Sequence, residues 1–142
     1  MSVATVTSTP PRARIVAPAF FAAIGILGMT AIWVIVALIR DRQCAWMAAI
    51  AAADIAFLLR LGRAAPGAQR ATIAVLSTVV TILAANWCIA STQMGLALGF
   101  GFIDSTFRLG THLAWTLTEL ANSGAEWAWY AVALPIAYWL GK

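Results

Sequence analysis

Few side chains in this sequence are able to do chemistry, and the first of them is Asp54, an acid set inside an apolar run. An aspartate within a hydrophobic segment is costly against lipid, so it is expected to meet a polar group, water or another helix. Asp54 lies seven residues before Leu61, about 10 Å from the end of a helix that rises 1.5 Å per residue. Counted outward from Arg70 along an antiparallel neighbour, Ser77, Thr78 and Thr81 reach the same depth. Pro135, in the last apolar run, removes a backbone donor and frees a carbonyl one turn earlier. These positions define an expected intramembrane polar locus, Asp54 with Ser77, Thr78 and Thr81. Its ordinary role is to fix helix register through a bond from Thr78 or Thr81. Its sharper role is proton or ion coupling.

A second set runs through Asp104, Arg108, His112, Trp115, Glu119 and Glu126, spaced so that all fall on one stripe of a helix. Leu109, Leu113, Leu117 and Leu120 occupy the opposite side, the pattern of a helix lying on an apolar surface. Arg108, His112, Trp115 and Glu119 are the candidate partner surface, because groups one heptad apart ordinarily form a wetted face rather than an acid–base pair. Cys44 and Cys88 both fall near the outer boundary of adjacent helices, so a disulfide between them is one outcome and two buried thiols the other. One histidine and two separated cysteines do not make a structural zinc site, which takes four such ligands. No phosphate-cradling glycine loop precedes a lysine and no GxSxG occurs. No catalytic residue, cofactor or metal is expected, and the chain does not read as an enzyme.

The elements that must position these groups are apolar and long. The 142 residues carry only 14 charged side chains, nine basic and five acidic, and 13 of these lie at the ends of apolar runs or between them. The expected fold is an all-α membrane protein, a bundle of about four transmembrane helices plus an outer amphipathic helix. Spans are expected over 15–39, 43–61, 71–94 and 121–140, the amphipathic helix over 105–122, and a flexible polar tail over 1–14. The first run, 25 residues long, exceeds the roughly 7–15 apolar residues of a cleavable signal and is expected to remain as an anchor. Within the second span Ala45, Ala49 and Ala53 form one small-residue strip and Ala48, Ala52 and Ala56 another, which suits a central helix. Gly95, Gly99 and Gly101 interrupt the end of the third run, and a helix end, a loop and a re-entrant segment all fit them.

An inside N-terminus puts Arg12, Arg14, Arg60, Arg63, Arg70 and Lys142 on one side and Arg40, Arg42 and Arg108 on the other. Six basic groups against three follow the positive-inside rule for a bacterial inner membrane with both termini cytoplasmic. Trp46, Trp87, Trp127 and Trp129 then fall near the outer interface, with Tyr138 and Trp139 near the inner one. Although the net charge is +4, there is no basic stripe to follow phosphates, so nucleic acid is not an expected partner. The expected partners are the bilayer and a membrane protein, either a different chain or a second copy in a homo-oligomer. The expected role is that of a non-catalytic accessory or interaction subunit, with a small transporter centred on Asp54 as the alternative.

Overall fold

The computed structural model describes residues 11–108 and 110–142, with side chains from Val16 onward except those of Phe102 and Arg108. It contains six helices: α1 (Pro11–Arg40), α2 (Met47–Leu61), α3 (Ala68–Leu98), α4 (Phe102–Arg108), α5 (Thr111–Ala121) and α6 (Gly124–Gly141). Of the expected tail, residues 1–10 lie outside the described residues. Residues 11–14 belong instead to α1, which opens on Pro11, a residue whose fixed φ and missing N–H suit the first helical turn.

The chain turns back on itself at left-handed residues. After α1, Asp41 (φ 49°) lets the Arg42 N–H donate to the Ala37 carbonyl at 3.1 Å. After α2, Arg63 (φ 55°) lets the Ala64 N–H donate to the Leu59 carbonyl at 3.1 Å. Both are reversed helix ends of the type that glycine usually closes. At the end of α3, Gly99 (φ 72°) takes that role, with Phe100 N–H bonded back to the Gly95 carbonyl at 3.0 Å. The glycine-rich stretch is thus a helix end, and Phe100 and Gly101 lead directly into α4.

These reversals make α1, α2, α3 and α6 an up-and-down bundle in which α2 touches the other three. Its interior combines a few large side chains, Trp33, Ile55, Leu59 and Ile89, with many small ones. Ala48, Ala51, Ala52 and Ala56 of α2, Ala71, Ala74 and Ala85 of α3, and Ala133 and Ala137 of α6 are all buried. Backbones approach closely where glycine removes the last carbon. A methyl group on Gly141 would stand 2.9 Å from Ala71 Cα, and one on Gly25 3.0 Å from a Leu58 methyl. Many large apolar side chains point the other way, with Phe20, Leu27 and Ile35 of α1, Phe57 of α2 and Leu76 and Leu83 of α3 all exposed. A water-soluble domain buries such residues. Alanine and glycine at the closest helix contacts, with many large apolar side chains outside, suit helices packed in lipid, where close approach and van der Waals contact drive association.

Two corrections to the expected layout follow. Only α1, from Val16 to Arg40, and α3 are long and apolar enough to cross a membrane, so four such spans are not found among the described residues. The second expected span loses its first turn because Gln43 and Cys44 are loop, Cys44 with φ 51°, leaving a helix of 15 residues. At 1.5 Å per residue that helix covers about 22 Å, less than the roughly 30 Å of hydrocarbon. The fourth becomes the 18-residue α6, whose capping box of Ser123 and Glu126 starts it three residues later than expected. The single amphipathic helix over 105–122 is the second correction. It is two helices, with Gly110 in extended conformation (ψ 151°) immediately before α5.

Candidate functional site

The densest polar cluster of the described residues is centred on Asn86, buried on the face that α3 turns into the bundle. Its Nδ2 donates to the Tyr130 hydroxyl of α6 at 3.2 Å, and that hydroxyl donates to Asn122 Oδ1 at 2.9 Å. Asn122 closes the ring by donating through Nδ2 to Asn86 Oδ1 at 3.2 Å. Gln43 extends it, its Nε2 reaching Asn86 Oδ1 at 3.1 Å while its main-chain carbonyl accepts from Trp33 Nε1 of α1 at 2.8 Å. Spare amide protons of Asn86 and Asn122 return to the carbonyls of Ile82 and Thr118, at 2.9 and 2.8 Å. The node therefore ties α1, the α1–α2 loop, α3, the end of α5 and α6 together. Gln43 Oε1 is its one buried atom without a partner. Amides, an indole and a phenol supply hydrogen bonds and shape, and these bonds tie the elements of the bundle together.

The opposite end of the bundle is held by arginine. Arg70 donates through Nε to the Gly141 carbonyl at 2.7 Å and through Nη2 to the Lys142 main-chain oxygen at 2.8 Å, while Arg60 reaches the Leu140 carbonyl at 2.7 Å. These carbonyls end α6 and have no helical partner of their own, and a cation there also opposes the negative end of the helix dipole. Gly67 N–H adds a bond to Lys142 O at 3.3 Å.

Asp54 lies apart from both. It is half-buried on the outward strip of α2, between exposed Ile50 and Phe57, and has no partner among the described residues. Ser77, Thr78 and Thr81 are buried, but the two threonines spend their hydroxyls on their own helix, on Ala74 O at 2.8 Å and Ser77 O at 2.9 Å. The expected bond from Thr78 or Thr81 to Asp54 is therefore absent. The reason is helical phase, since the buried face of α2 runs through Ala48, Ala51, Ala52, Ile55 and Leu59 and turns Asp54 outward. Pro135 is exposed on α6 and does not join the locus.

On α5, His112, Trp115 and Glu119 are all exposed on the expected stripe, and the side chain of Arg108 and all of Leu109 lie outside the described residues. Trp115 stands 6.5 Å from Trp127 of α6, centroid to centroid. The leucine side of α5 is also only partly covered, since Leu113 and Leu120 are exposed and Ala114 alone is buried. Glu126 leaves the stripe to accept from the Ser123 N–H at 2.7 Å at the start of α6. Cys44 and Cys88 are free thiols, so the disulfide does not form. Chain register explains it, because Gln43 is the loop residue that meets α3, and does so at Asn86.

Among the described residues no three His, Cys, Asp or Glu side chains are grouped so as to hold a metal ion. The sequence alone does not mark the node as a site, because Gln43, Asn86 and Tyr130 share no regular spacing. The available signal was an amide inside the third run, where an uncharged polar group among alanines and isoleucines calls for a partner. Set against models of protein families, against curated proteins and against solved structures, the chain matches none of them.

Proposed function

We propose that this protein is a small integral membrane protein without catalytic activity, an accessory or interaction subunit that presents α5 to a membrane-protein partner. The observation carrying the reading is α5 itself, which exposes His112, Trp115 and Glu119 on one side and Leu113 and Leu120 on the other while burying only Ala114. The outward array of large apolar side chains supports the membrane setting, with α1 and α3 as crossing helices and the shorter α2 and α6 completing the bundle between them. The gathering of Arg60, Arg63, Arg70 and Lys142 around the ends of α2 and α6 supports a cytoplasmic position for that end in a bacterial inner membrane.

The test is the apparent mass of the complex in gently solubilised membranes. Replacing His112, Trp115 and Glu119 together by alanine returns the protein to the size of the free chain while its melting temperature stays put. A wild-type chain that already runs at that free size contradicts the interaction role.

A transporter centred on Asp54 is the second reading, favoured by the carboxyl's lack of a partner on an otherwise apolar strip. Asp54→Asn separates the two, since a transporter loses proton or ion coupling and an interaction subunit keeps its complex.

A further inference from the structure

Among the described residues, three of the cavities that open on the bundle surface differ in charge. One of about 570 Å³ between α3 and α5 has no charged side chain in its lining. Another, of about 490 Å³ beside the α1–α2 loop, sets Arg40 and Arg42 against Asp41 and Glu126. The largest, about 860 Å³, is a lateral cleft between α1 and α3 that contains Arg63 and Arg70 and no acid. Nor does the chain hold any acidic residue between Asp54 and Asp104 to offset them.

The walls of this cleft are apolar, formed by Ala19, Ala23 and Ile26 of α1 and Ile73 of α3, and the arginines stand at one end. Arg70 is already bound to main-chain oxygens. Arg63 is exposed and has no partner among the described residues. It also occupies a left-handed position (φ 55°), where glycine would be less strained. Outside the cleft the surface of α1 continues as exposed Phe20, Ile24 and Leu27.

We propose that the α1–α3 cleft is a binding site for an anionic glycerophospholipid, one acyl chain lying along Ala23, Ile26 and Ile73 and the phosphate meeting Arg63. Guanidinium pairs with phosphate through paired N–H donors, and a basic pocket between membrane helices on the cytoplasmic side suits an anionic head group. The apolar wall is what distinguishes a lipid from a free anion, and the uncompensated charge is what distinguishes an anionic lipid from a zwitterionic one. The inference rests on the membrane reading above.

The test uses the full chain. Flotation with phosphatidylcholine vesicles after alkaline carbonate treatment first checks membrane integration, and loss from the vesicles would sink the membrane reading itself. Native mass spectrometry then compares retention of phosphatidylglycerol, phosphatidylcholine and inorganic phosphate. The expected result is phosphatidylglycerol retained at least fivefold over phosphatidylcholine, with no retention of phosphate alone. Arg63→Gly, which relieves the backbone while removing the charge, abolishes that preference without lowering the melting temperature of the lipid-free protein. Ala23→Trp, which fills the cleft, lowers phosphatidylglycerol retention by a similar factor. Integration with equal retention of the two lipids, or an Arg63→Gly protein with its preference intact, overturns the site alone. Retention of phosphate matching that of the lipid would make it an anion site and overturn the acyl-chain half of the proposal.

Discussion

Asn86 and Asp54 are both polar residues in apolar helices, yet they stand in opposite relations to the bundle. Asn86 faces inward and is joined through hydrogen bonds to Gln43, Asn122 and Tyr130. Asp54 carries a full charge when ionised, faces outward between Ile50 and Phe57, and has no partner among the described residues. In this bundle a polar group gains structural weight from the number of elements it connects, and charge alone confers none. The many small residues of the interior make this possible, because close helix approach brings polar side chains from distant parts of the chain within 3.3 Å of one another.

The contrast is sharpest in stability. Asn86→Leu strips bonds from three side chains at once and leaves the buried Gln43 amide without its partner, a loss of about 2–3 kcal/mol, or roughly 5–10 °C in melting temperature. Thermal unfolding in detergent measures it. Tyr130→Phe removes one hydroxyl that both accepts and donates within the ring, for about 1 kcal/mol and a correspondingly smaller shift. Gln43→Met should cost less than about 0.5 kcal/mol, because losing the bond to Asn86 is offset by removing Oε1, which is buried and unpartnered. Asp54→Leu should cost nothing, or even stabilise the protein in membranes by up to about 1 kcal/mol, since it takes a polar group off an apolar strip. If Asp54→Leu destabilises as much as Asn86→Leu, the two sites have been ranked the wrong way round.

Much of the architecture was legible in the sequence. Long uncharged runs mark α1 and α3, the charged residues Arg40, Asp41 and Arg42 fall at the first reversal, and Pro66 with Gly67 falls just before α3. What escaped was local backbone choice. Cys44 adopts a left-handed conformation that shortens α2, and Gly110 divides an amphipathic pattern whose periodicity continues across the break. Hydrophobicity cannot register either, since it reports the phase of side chains and is silent on a single φ or ψ. The outward phase of Asp54 was available in principle, as Ile50, Asp54, Phe57 and Leu61 repeat at helical spacing while the alanines share the other side. The node was harder to find, because residues 43, 86, 122 and 130 meet only once four elements have folded.

The account depends most on the bundle's outward surface lying in hydrocarbon. Nitroxide labels at Leu27 and Leu83, in a chain whose Cys44 and Cys88 are replaced by alanine, report this directly in liposomes. Embedded positions relax strongly with dissolved oxygen and weakly with a water-soluble nickel chelate. That is the predicted result at both sites. Strong relaxation by the nickel chelate at Leu27 and Leu83 in the folded protein would contradict the membrane setting.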